Sequence, residues 1–167
     1  MIARPDEKLF DRSIMILPVL PHGAPTIRPG TGGWVSTAMP RIIVLVMLNR
    51  VGIDWFNGLP TVAFATSPSA PNLTSFYSFR LAVDLGAPGD YLAALGHSTK
   101  PAALLVGAGD ELFYPDRFAP LLRPARSDLH ITIVPGIDHI GMIVVPAGIA
   151  AVRKSFLELT GQPDLQR

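Results

Sequence analysis

Cysteine is absent from the 167-residue chain, which excludes disulfides, thiol nucleophiles and thiolate metal sites. Charge is scarce: Asp, Glu, Lys and Arg make up 16% of the residues, where about a quarter is usual. Neither sign dominates. The 14 Lys and Arg against 13 Asp and Glu leave a net charge of +1, with no basic run, so composition argues against a nucleic-acid partner. Long apolar runs are also missing. The longest is Ile42–Leu48, far short of the roughly 20 residues that span a bilayer. In the opening stretch MIARPDEKLFDRS no apolar segment directly follows a basic start, so it does not read as a secretory signal, and cytoplasm is the expected compartment. The 4 histidines are scattered without a spaced pair, so neither a metal nor a cofactor is expected.

What the chain does have is apolar residues, 49% of the total, with a mean hydropathy of +0.36. A disordered segment needs the reverse balance. An excess of this kind fits a parallel sheet whose strands are apolar on both faces. It fits equally a surface covered by something outside the chain.

Ser13–Leu17 (SIMIL) reads as a buried strand emptying at Pro18 into a loop rich in Pro and Gly that runs to Gly33. Pro40 opens a helix over IIVLVMLNRVGI, apolar on nearly all sides. Thr61–Thr66 is a second strand, Ser67–Thr74 a polar loop, Tyr77–Leu85 a helix and Asp90–Leu95 a short helical turn. From Lys100 the pattern sharpens. Ala102–Val106 and Leu129–Val134 read as strands, Pro115–Leu122 and Pro146–Thr160 as helices, the last with Ile149, Val152, Phe156 and Leu159 on one face. Strand, helix, strand, helix at these lengths predicts an α/β fold with parallel strands.

Ligands of open parallel sheets bind where strands end at their carboxyl edge. Two acid–base residues stand at such ends. Asp110 closes the turn Gly107-Ala108-Gly109-Asp110 after one strand, and His139 closes Gly136-Ile137-Asp138-His139 after the next. The separation of 29 positions accommodates one crossover helix and one strand. If the strands are neighbours, the turns lie side by side, and the carboxylate can orient the imidazole at about 2.6–3.2 Å. That is the acid–base half of a hydrolytic triad: His titrates near neutral pH, and an ionised Asp fixes its productive tautomer.

The segments KPAALLVGAGDELFYPDRFAPLL and ITIVPGIDHIGM resemble the C-terminal third of α/β-hydrolases of the serine hydrolase, lysophospholipase-like type. In that family the acid follows a strand in a G-x-x-D turn and the His follows the last strand in a G-x-x-H turn, in that chain order. The resemblance implies that residues 1–20 hold the strand following the nucleophile helix, that 21–99 form a mostly helical cap or lid insertion, and that 100–167 form the C-terminal core. It implies Asp110 and His139 as catalytic residues and a small apolar acyl ester, of the lysophospholipid kind, as substrate. The family's nucleophile lies in a G-x-S-x-G elbow, and this chain contains none. Gly96-His97-Ser98-Thr99-Lys100 has Lys in place of the second Gly and is followed by Pro101 and a strand, where a helix should start; Gly33-Trp34-Val35-Ser36 fails on spacing. The reading is therefore a C-terminal hydrolase portion whose serine lies before residue 1. An inactive remnant, or a subunit needing a partner chain, is the alternative. An unpaired apolar edge on the 13–17 strand is expected to favour self-association.

Other polar residues have plainer readings. Asp138 competes with Asp110 as the partner of His139, although adjacent side chains rarely face each other. His22, His97 and His130 are read as non-catalytic, and Glu111 and Asp116 as negative charges at a helix start, with a second acid as the alternative. Trp34, Trp55, Phe56, Phe76, Tyr77 and Phe79 are expected to form the core of the insertion or to line an acyl pocket.

Overall fold

The computed structural model describes residues 10–21, 23–30, 35–65 and 74–162. The chain divides into two compact units, Pro29–Gly86 and the segments on either side of it, up to Arg28 and from Ala87 on.

The flanking segments build a mixed α/β unit around a parallel three-stranded sheet. Its strands are β1 (Ser13–Ile16), β5 (Ala102–Gly107) and β6 (His130–Val134), ordered β1-β5-β6. Ser13 pairs with Ala102 and Ala103 with His130, so β5 is central and every one of its residues is buried. This is the physical meaning of the unbroken AALLVG run: a strand paired on both edges and covered on both faces has no polar side to show. Its Leu104 and Leu105 are fully buried, as are Phe118 and Met142. The crossover from β5 to β6 is a 3₁₀ turn (Pro115–Arg117) followed by α4 (Phe118–Leu122), where the sequence predicts one continuous helix. After β6 come α5 (Gly141–Val144), a turn of helix that the sequence reading does not foresee, and α6 (Pro146–Thr160), which begins and ends where its apolar spacing predicts. Helix α3 (Tyr91–His97) belongs to this unit as well.

The Pro29–Gly86 unit departs further from expectation. It has its own antiparallel sheet, ordered β2-β3-β4 from Val35–Thr37, Pro60–Phe64 and Phe76–Ser78, with helices α1 (Met39–Arg50) and α2 (Phe79–Leu85). The expected Tyr77–Leu85 helix starts two residues later, because Tyr77 pairs with Val62 and the Ser78 hydroxyl accepts from Leu81 N at 3.2 Å, capping α2. Helix α1 ends at Arg50 instead of running to Ile53. Its Asn49 and the following turn's Asn57 exchange side-chain hydrogen bonds of 2.7 and 2.8 Å. The aromatic core expected here does not form as predicted. Phe79 is buried, Phe56 and Phe76 are half exposed, and Trp55 is 86% exposed; Trp34 lies outside the described residues. Helix α1 buries only Leu45, so Met39, Ile43, Met47 and Val51, spaced four apart, are exposed.

One ion pair locks the end of the crossover. The Arg126 guanidinium is buried, donates to the Lys100 carbonyl, and meets Asp128 Oδ1 and Oδ2 at 3.1 and 3.3 Å. The hydrogen bond from Arg126, reinforced by its charge, holds the exposed Asp128 carboxyl below its ordinary value of 3.8. A carboxyl lowered in the folded state stabilises the protein above its unfolded pKa. That contribution disappears as pH falls through the lowered value. We expect Asp128→Asn to cost less than about 1 kcal/mol near neutrality and to flatten stability below about pH 4. Arg126→Ala should cost more, about 1–3 kcal/mol, since it also strips a buried stem and a carbonyl contact. Urea denaturation at a series of pH values measures both.

Candidate acid–base site

Strand β5 delivers Asp110 and strand β6 delivers His139 because the strands are parallel neighbours in register, so both turns leave the same edge of the sheet. Val106 pairs with Ile133 and Gly107 with Val134. The turns are then laced backbone to backbone. Ala108 N donates to Val134 O at 2.8 Å, and Gly109 N to Ile137 O at 2.9 Å. This approach is possible only without a side chain at residue 107: a Cβ there would stand 2.2 Å from Ile137 O and 2.9 Å from its carbonyl carbon. Gly136 supplies the other requirement, a left-handed φ of +68° that turns the chain out of β6.

Asp110 is 1% exposed. Its Oδ1 accepts from Leu112 N and Phe113 N, both at 2.8 Å. Its Oδ2 lies 2.9 Å from His139 Nδ1. With Oδ1 held by two backbone donors, the carboxylate cannot rotate away from the ring. An acceptor at that distance places the proton of a neutral imidazole on Nδ1 and leaves the lone pair on Nε2. The ring also meets the edge of Phe113, with centroids 5.3 Å apart and planes at 66°. The His139 side chain retains 14% exposure, so the dyad is shielded without being sealed.

Asp138 is engaged elsewhere. Its Oδ1 accepts from Gly141 N at 2.6 Å, at the start of α5, so it is Asp110 that meets the imidazole. Glu111 corrects the helix-start reading, because no helix begins until Pro115; its Oε2 instead accepts from His139 N at 3.1 Å. Asp116 does sit in the first turn of the 3₁₀ segment. His97 Nδ1 contacts Ala93 O at 2.6 Å within α3, His130 lies 3.6 Å from Glu158 at the surface, and His22 falls outside the described residues. Ser98 follows the last residue of α3, so it stands at the carboxyl end of a helix; a nucleophile elbow puts its serine where a helix begins.

The sequence reading misses the brace behind the acid. Residues 24–28, read as irregular loop, run antiparallel to 112–114: Ile27 bridges Phe113, Arg28 N donates to Leu112 O at 2.9 Å, and Tyr114 N donates to Thr26 O at 2.8 Å. The Arg28 and Arg117 guanidiniums stack on the Tyr114 ring at 4.5 and 3.9 Å. Two backbone hydrogen bonds between positions 84 and 88 apart leave no local periodicity to read. The signal for Glu111 was closer at hand, as an acidic residue beside the acid with no helix to serve.

Among the described residues, no group of three or more His, Asp or Glu is placed to hold a metal ion, and no helix is long and apolar enough to cross a membrane. No family model, curated protein or solved structure matches the chain.

Proposed function

We propose that this chain carries the acid–base half of a serine-type α/β-hydrolase that cleaves a carboxylic ester with an apolar acyl group, of the lysophospholipid kind. The observation that carries the reading is the 2.9 Å contact of Asp110 Oδ2 with His139 Nδ1, made at the carboxyl ends of adjacent parallel strands. The chain order, acid before His, and the two glycine turns support it.

In this reading Nε2 of His139 takes the proton of a serine hydroxyl as the serine oxygen bonds to the acyl carbon. The same proton passes to the alkoxy oxygen as that C–O bond breaks and the alcohol leaves. Water repeats both steps and releases the acid. Asp110 stabilises the imidazolium in each step and does not itself take the proton. The serine is supplied by polypeptide outside these 167 residues, and the strand bearing it would pair with β1, an edge strand of the sheet among the described residues. The cap or lid insertion, expected over 21–99, is narrower in this reading: it is the compact unit Pro29–Gly86, while 21–28 and 87–99 belong with the parallel-sheet unit. A second reading, that of an inactive remnant or of a subunit acting only with a partner chain, draws on the absence of any G-x-S-x-G in the sequence and on Ser98 standing at the wrong end of a helix.

A fluorophosphonate probe separates these readings. The 167-residue chain alone should show no labelled serine and no burst with p-nitrophenyl butyrate. The protein isolated in its natural form should yield a labelled serine in a strand–G-x-S-x-G–helix segment of the same polypeptide, and His139→Ala should abolish the labelling; a labelled serine in a bound chain would select the subunit acting with a partner. Absence of any labelled serine would select the remnant. Labelling of Ser98, or of any serine in this chain, removes the proposal.

A further inference from the structure

Asp110 and Glu111 are consecutive, and both reach the same residue. Asp110 holds the ring of His139 through Nδ1, and Glu111 Oε2 holds its backbone N–H at 3.1 Å. The loop that carries the histidine is tied at three successive positions: Ile137 O accepts from Gly109 N, Asp138 Oδ1 accepts from Gly141 N, and His139 N donates to Glu111. The first two ties fix the loop's start and its exit. Only the third acts on the residue whose backbone angles aim the imidazole.

We infer that Glu111 is a positioning residue for the dyad, a backbone latch that holds His139 at the height where Asp110 Oδ2 can accept a hydrogen bond from its Nδ1–H. A ring hydrogen bond alone leaves the histidine free to follow loop motion, because side-chain rotation compensates for backbone shifts. Fixing the peptide N–H as well removes that freedom and commits the ring to the tautomer with its lone pair on Nε2. The carboxylate makes this bond stronger than a neutral acceptor would. The latch lies at the surface, so losing it leaves no buried group unsatisfied, and its effect should fall on the histidine and not on the fold. The inference deepens the hydrolase reading and rests on it for its catalytic consequence, but the test needs no nucleophile.

Nitrogen NMR shifts of the His139 side chain report its tautomer, and exchange of its amide proton reports the latch. In the full chain we expect the Nδ1–H tautomer to dominate. Glu111→Ala should speed His139 amide exchange on the order of tenfold and lower the Nδ1–H population. Glu111→Gln, whose amide oxygen can accept the same bond, should restore both, with the urea midpoint unchanged in all three proteins. If Glu111→Ala keeps the original tautomer and exchange rate, or if Gln does not rescue, the latch is overturned and the dyad stands. If Nδ1–H does not dominate before any substitution, the dyad itself fails and the latch with it. In the complete hydrolase, Glu111→Ala should lower kcat with KM unchanged.

Discussion

Asp110→Asn should preserve the fold and reverse the imidazole. The Asn carbonyl oxygen can accept the Leu112 and Phe113 amides as Oδ1 does now, at 2.8 Å each. Its NH2 then faces His139 Nδ1, which must accept instead of donate. The proton moves to Nε2, where a general base needs a lone pair. In the complete hydrolase proposed above, that loss is about 10⁴-fold in kcat, the size expected when the wrong tautomer is enforced. Asp110→Ala is a different experiment. It leaves two buried backbone donors without an acceptor, at about 1–3 kcal/mol each, and should destabilise the unit outright. Denaturant titration of the two variants, with His139 tautomer shifts read by NMR, separates orientation from stability. An Asn variant as unstable as the Ala variant would mean that the carboxylate's charge holds the turn, not its hydrogen-bond geometry.

Among the described glycines, Gly107→Ala should be the most damaging. The added carbon would stand 2.2 Å from Ile137 O and 3.0 Å from Asp138 O, both backbone atoms of the loop that carries His139. Neither can rotate aside, so the loop must lift from the acid turn. That breaks the 2.9 Å bond from Gly109 N to Ile137 O and pulls His139 from Asp110. Overpacking of this kind costs about 3 kcal/mol or more. Gly136→Ala is the control from the same loop. Nothing lies within 4 Å of the position its Cβ would take, so only the left-handed φ of +68° penalises it, by about 1 kcal/mol. Urea midpoints should rank Gly107→Ala well below Gly136→Ala, and only the former should erase the Asp110 signature on His139. Equal effects would mean that the two turns do not depend on their close contact.

Much of the parallel-sheet unit is legible in the sequence alone. β5 announces itself as an unbroken apolar run between Pro101 and Gly107, and α6 by its spacing and its opening proline, because a fully buried strand and an amphipathic helix each impose a local pattern. Asp110 and His139 were legible for the same reason: each stands just past a strand, in a glycine turn. The register that makes the strands neighbours, and so brings the two side chains to 2.9 Å, belongs to the tertiary structure. So does the choice between Asp110 and Asp138, decided by where Gly141 N lies.

The Pro29–Gly86 unit was less legible, because its strands of three and five residues pair antiparallel across loops and leave too short a pattern for alternation to register. The brace of residues 24–28 behind the acid turn and the Glu111 latch were invisible on the same principle. Each is made of single hydrogen bonds between distant or non-periodic positions. Composition, strand and helix type, and the turn glycines are written in neighbouring residues. Which carboxylate meets the imidazole, and what holds it there, depends on distances across the fold, and only packing sets those.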